Sequence, residues 1–310
     1  MSDIILHHYP TSPFAEKIRR VLAHKKLPWK SVIIPVIMPK PDLMPLTGGY
    51  RRTPVLQIGA DVYCDTALIC DVLECIAPQP ALYPAPVAGQ ARLLAQWADS
   101  TLFWTVIGFV FQPAGVKSLF GHLSPEQLQA FSADRAAMRG NAPRLHPSDA
   151  AAALPQYLRW LEDMLSGGAP WLLGQQASIA DFSVYHCLWF LQNAKAVAGI
   201  LEQYPRLQDW MRTIAAFEHA PPEKIGAEEA LTAARAGTPA PLDGAFVDTH
   251  GIALGAEVTV SPTDYALDPV AGELVAASER EYAVRRSDER AGTVVVHFPR
   301  IGYQLRAVGS

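Results

Sequence analysis

A serine followed by a proline, Ser12-Pro13, stands just behind the short apolar strand Ile4-Ile5-Leu6 and opens a helix with Phe14, Ile18, Val21 and Leu22 on one face. Few local arrangements satisfy this order. Serine fits the N-cap, and proline fits the first helical position, where its missing N–H costs nothing. Ser12 is therefore expected where free backbone N–H groups and the helix dipole favour negative charge. Read alone, a serine in this place is most often only a cap.

A second segment changes its weight. Thr53-Pro54-Val55-Leu56-Gln57-Ile58 alternates like a strand but opens with proline, which belongs at a strand's first residue or edge. Gly59-Ala60-Asp61 makes a turn, Val62-Tyr63 a second short strand, and Asp65-Thr66 starts a helix through Ala67, Leu68, Ile69, Val72 and Leu73. The order is thus strand, helix, strand, hairpin, helix. This resembles the thioredoxin-like domain of the glutathione transferases, on Ser12-Pro13-Phe14 with Lys17 and Arg19, on Thr53-Pro54-Val55-Leu56, and on Asp65-Thr66.

The resemblance implies roles. A Ser, Tyr or Cys after the first strand holds the glutathione sulfur in that family, which here would be Ser12. Pro54 would be cis, and the Thr53 backbone would pair with the cysteinyl part of the tripeptide. The family usually shows Glu-Ser where the γ-glutamyl carboxylate binds; here the pair is Asp65-Thr66, which keeps a hydroxyl and the helix N-terminus but shortens the acid. Lys40, and Arg51 or Arg52, are the cations available for the glycine carboxylate. Glutathione is the implied co-substrate, with an electrophilic, mostly apolar small molecule as second substrate.

The chemistry this asks of Ser12 is modest. A thiol of pKa about 8.5 must fall by roughly two units to be thiolate at neutral pH, about 2–3 kcal/mol. A charge-assisted hydrogen bond from a hydroxyl, about 1.5–3 kcal/mol, plus a helix N-terminus, about 0.3–1 kcal/mol, suffices.

Other features bound the rest. A chain of 310 residues, 50% hydrophobic and 18% charged, can bury large cores in two or three domains. A net charge of −4 argues against nucleic acid as a partner. Met1-Ser2-Asp3 precedes only a three-residue apolar strand, unlike a secretory signal, and the apolar stretch 101–116 carries Pro113 and is too short to span a bilayer. No membrane association is expected. Cys64, Cys70, Cys75 and Cys187 show no Cys-x-x-Cys spacing, so no metal or dithiol site is expected, and the cytoplasm is the expected compartment. His7 and His8, at the end of the first strand near Ser12, read as packing or solvated side chains.

Residues 85–225 change to helical patterns. Residues 88–111 form a long apolar helix with Trp104, Phe109 and Phe111, which line the electrophile pocket, together with Phe14, if the resemblance holds. Ser124-Pro125-Glu126-Gln127 opens another helix with a capping box, residues 149–165 make a third, and Ser178 with Asp181 resembles the structural capping motif of the family's helical domain. Residues 226–243 read as a linker, helical at 227–236, and residues 244–310 as five short strands of a small antiparallel barrel packed on the rest. The resemblance therefore covers an α/β thioredoxin-like domain (1–80) and an all-α domain (85–225), followed by an all-β module outside it. Three functions follow: a glutathione transferase, a non-catalytic glutathione- or ligand-binding or regulatory protein on the same scaffold, and a thiol reductase, which would want Cys at position 12. A homodimer is the expected assembly.

Overall fold

Five consecutive buried residues form β1 (Ile4–His8), as a strand covered on both faces requires. It pairs in parallel with β2 (Lys30–Ile33) and antiparallel with β3 (Val55–Ile58), which turns into β4 (Asp61–Cys64). Alternation along these strands sorts the side chains into two cores. Leu6 and Leu56 face α1 (Pro13–His24) and α3 (Thr66–Ile76); Ile5 and Val55 face α2 (Met44–Thr47) and the C-terminal module. In this computed structural model residues 2–142, 145–218, 220–242 and 244–309 are described. Met1, Asp243 and Ser310, which bound the expected N-terminal domain, linker and β module, lie outside the described residues.

The apolar helix expected over 88–111 is two α-helices, α4 (Ala88–Trp97) and α5 (Phe103–Val110), joined by the π-helical turn Ala98–Leu102. Helix α6 (Pro113–Phe120), α7 (Pro125–Arg139), α8 (Pro147–Met164), α9 (Ile179–Asn193) and α10 (Pro205–Ala215) follow. By length and composition the helical run Ala85–Val110 would suffice to cross a membrane. In this fold it packs into the core, and the π turn carries Asp99, which receives Lys17 Nζ at 2.6 Å and pairs with His186 Nε2 at 2.9 Å. Asp181 caps α9 as expected and also accepts from Leu172 N–H and Trp210 Nε1.

The chain from Glu223 onward joins the N-terminal sheet. Strand β5 (Glu223–Lys224) adds in parallel to β2, and α11 (Ala227–Ala236), within the stretch read as a linker, buries Ala230, Leu231 and Ala234 in the second core. Then β6 (Glu257–Pro262), β7 (Val270–Ala277), β8 (Glu281–Asp288), β9 (Gly292–Pro299) and β10 (Tyr303–Ala307) form the expected antiparallel module. It curls in barrel fashion, with the Tyr303 ring 5.6 Å from that of Phe298. Its outer strand β9 pairs in parallel with β4, and one sheet of ten strands results, in the order β10-β6-β7-β8-β9-β4-β3-β1-β2-β5. An edge strand with unpaired backbone groups accepts such an addition, and here both β4 and β9 lose their exposed edges.

Side chains lock this joint. His297 Nε2 meets Asp61 Oδ1 and its Nδ1 meets Glu281 Oε2, each at 3.1 Å, with the imidazole stacked on Tyr63. Gly48, at φ +70°, lets Arg286 lie against α2, where the guanidinium donates to the carbonyl of Pro45; a Cβ at Gly48 would stand 2.5 Å from Arg286 Nε.

Candidate functional site

Ser12 caps α1: its Oγ accepts the Ala15 N–H at 3.2 Å, and its hydroxyl also hydrogen-bonds the Tyr9 phenol. The side chain sits on the wall of a cavity of about 690 Å³ between the N-terminal and helical domains. Beside it is the phenol of Tyr9, whose pKa is raised by burial, with Arg135 and Ser12 partly offsetting this. The Thr53–Pro54 peptide is cis, and Thr53 also lines the cavity. Lys40 is 3% exposed and donates to the carbonyl of Arg51 and to Thr53 Oγ1, both at 2.9 Å. Burial, and then repulsion by Arg135, hold its amine down to about 7.

The opposite wall is aromatic. Trp104 and Gly108 of α5 and Phe111 just beyond its end recur at helical spacing and line the cavity, as does Phe14. Phe109 was expected with them, and this is a correction: it sits about 140° round the helix from Trp104 and packs against the core. Two covers had no signature in the sequence. Helix α7 closes one side, held by Asp134, which accepts Met38 N–H at 3.0 Å and pairs with Arg51. The β6–β7 loop closes another: Tyr265 lies under the Arg52 guanidinium at 3.9 Å and edge-on to Trp104 at 5.1 Å, and Ala266 N–H donates to Met138 of α7 at 2.6 Å.

Three residues have other partners than expected, and the loop supplies those of Arg52. The Arg52 guanidinium, expected at a glycine carboxylate, already donates to Asp264 and to the carbonyl of Tyr265. Asp65 and Thr66 do not line the cavity. Both Asp65 oxygens are engaged, Oδ1 by Ala67 N–H at 2.9 Å and Oδ2 by the Tyr303 hydroxyl at 3.2 Å, and Thr66 Oγ1 accepts from the buried Lys17 at 3.2 Å. Ser12, Thr53 and Lys40 are thus brought together on one cavity, while Asp65 is bound by a tyrosine of the C-terminal module.

Other sequence candidates are structural. His7 Nε2 donates to Gln57 Oε1 at 2.8 Å and His8 hydrogen-bonds Ser31 through Nε2, and burial lowers both imidazoles to about 4. Cys64, Cys70 and Cys187 are buried and their thiols pushed up, Cys70 to about 12, while Cys75 is exposed and free. Tyr9, Arg135 and Tyr265 escaped sequence reasoning. Only Tyr9, in the turn before Ser12, lay near a recognised motif.

Residues 6–81 match the glutathione S-transferase N-terminal domain and residues 125–213 the glutathione S-transferase C-terminal domain. A GST-like protein from Pseudomonas syringae is 40% identical over 99% of this chain and 100% of its own, with a TM-score of 0.84, so the likeness runs through the C-terminal module. The chain belongs to the glutathione S-transferase family. Transferase GSTFuA3 from Phanerochaete chrysosporium (19% identity, 71% of this chain and 99% of its own, TM-score 0.55) and a glutathione S-transferase from Rhodospirillum rubrum F11 (21%, 69% and 88%, 0.51) share the fold. No curated protein matches the chain.

Proposed function

We propose that the cavity joins the thiol of glutathione to an electrophilic, mostly apolar small molecule. The observation that carries this reading is the Ser12 hydroxyl, placed at the N-terminus of α1 on the wall of a cavity that is polar on one side and aromatic on the other. Glutathione would supply the nucleophilic sulfur. Ser12 would hold that sulfur in its anionic form, with the α1 N-terminus adding to the field. Thr53 would orient the peptide backbone and Lys40 its glycyl carboxylate. The aromatic wall would seat the electrophile and exclude water. A homodimer is the proposed assembly.

A second reading has its own observation. The Tyr303 hydroxyl occupies Asp65 Oδ2 and Tyr265 lies against Arg52, so two residues expected to meet glutathione are already engaged, which favours a protein that binds ligand without turnover. Two experiments separate them. Calorimetric titration with reduced glutathione tests occupancy, and turnover of a simple aromatic electrophile by wild type and Ser12→Ala tests chemistry. The transferase reading expects saturable binding and a loss of about 10²–10³ in kcat for Ser12→Ala, as for removal of one preorganised donor. Full activity in the variant refutes the role of Ser12, and binding without turnover in the wild type supports the second reading.

A further inference from the structure

The aromatic wall of the cavity ends in cations. Ring centroids of Phe111 and Phe120 are 5.8 Å apart and those of Phe120 and Phe131 4.7 Å, and the Arg135 guanidinium lies 5.2 Å from the centre of the Phe131 ring. Arg139, one turn further along α7, shares that face and the same cavity. Lys40, Arg51 and Arg52 complete the cationic lining, and among the described residues no carboxylate lines the cavity. Asp134 and Asp264 stand behind the wall, the first paired with Arg51 and Arg135 and the second with Arg52. Arg139 lies outside both groups, and the buried Nε of Arg135 has no hydrogen-bond partner among the described residues.

Five cations against two carboxylates leave the cavity positive. A cation on the wall of a largely apolar cavity, and a buried N–H without an acceptor, both cost free energy until an anion arrives. The Lys40 amine is lowered first by burial and then by the charge of Arg135. Guanidinium groups match the geometry of a carboxylate better than ammonium does. We propose that the apolar ligand of this cavity carries a carboxylate, its ring against the Phe111–Phe120–Phe131 wall and its acid group on Arg139 and Arg135. This deepens the transferase reading by naming the class of its second substrate, an aryl carboxylic acid that also bears an activated alkene, to which the thiolate adds at carbon while a proton from water completes the adduct and nothing leaves, and it rests on that reading only for the chemistry.

The test is calorimetric titration of the full chain with phenylbutanoate and with its uncharged amide, phenylbutanamide, with and without saturating reduced glutathione. The acid is expected to bind at least about tenfold more tightly than the amide. Arg139→Gln is expected to shrink that ratio to about two, and Arg139→Lys to restore part of it, with unchanged circular dichroism showing that both variants fold. Equal affinity for acid and amide in the wild type overturns the proposal, as does failure of the acid to bind or a ratio that survives Arg139→Gln. If glutathione displaces the acid, and Arg139→Gln weakens glutathione to the same degree, the arginines serve the tripeptide and the proposal falls. If the acid binds with the expected preference while glutathione does not bind, the anion site stands and the transferase reading fails.

Discussion

Replacing His297 by phenylalanine tests how the C-terminal module is fastened. The ring would still stack on Tyr63, now 4.4 Å away, but both N–H donors would go. Asp61, 4% exposed, would keep only the Ala240 N–H at 2.8 Å among the described residues. Burial opposes charge on His297, but its hydrogen bonds to Asp61 and Glu281 and their charges outweigh this and raise its pKa above 6.5. Breaking a buried pair costs about 3–5 kcal/mol; because Glu281 is partly solvated, the lower end, about 3 kcal/mol, is expected. Hydrogen exchange of the β9 amides reports it directly, since opening this ladder exposes them, and about 3 kcal/mol corresponds to roughly 10²-fold faster exchange. The sign of the pH dependence follows from the raised pKa. The histidine's contribution is fully present below the unfolded value and is lost as pH rises through the higher folded value, so wild-type protection should fall as pH rises above about 6.5 while the variant's does not. Equal protection in the two proteins at about pH 6, or the same pH slope in both, would refute the account.

Three further outcomes are expected. Gly48→Ala forces a Cβ into Arg286 at φ +70° and should lower thermal stability by about 1–2 kcal/mol, checked by calorimetric melting. Because the Lys40 amine is held down to about 7, glutathione affinity should weaken as pH rises through that value, and Lys40→Arg should flatten the profile measured by titration at several pH values. Tyr303→Phe removes the hydroxyl from Asp65 Oδ2; if this residue blocks the γ-glutamyl end, glutathione should bind more tightly to the variant, and unchanged affinity would show that Tyr303 is only structural.

What the chain alone determined was set by short-range rules. The Ser12-Pro13 cap, the Pro54 strand start, the capping box at Ser178 and Asp181, helix α11 and the five C-terminal strands each follow from cap chemistry or a period of 2 or 3.6 within a dozen residues. Finer use of the same period would have separated Phe109 from Trp104 and Phe111. The tertiary structure decided what no window contains. Without each other β4 and β9 would both be edge strands with unsatisfied backbone groups, and nothing in either sequence says that each completes the other. Arg52 and Tyr265, Asp65 and Tyr303, and Arg51 and Asp134 are likewise brought together only when the module and α7 close over the cavity. Burial and charge pairing select such partners from the whole folded surface, so the elements of the site were legible beforehand and its covers were not.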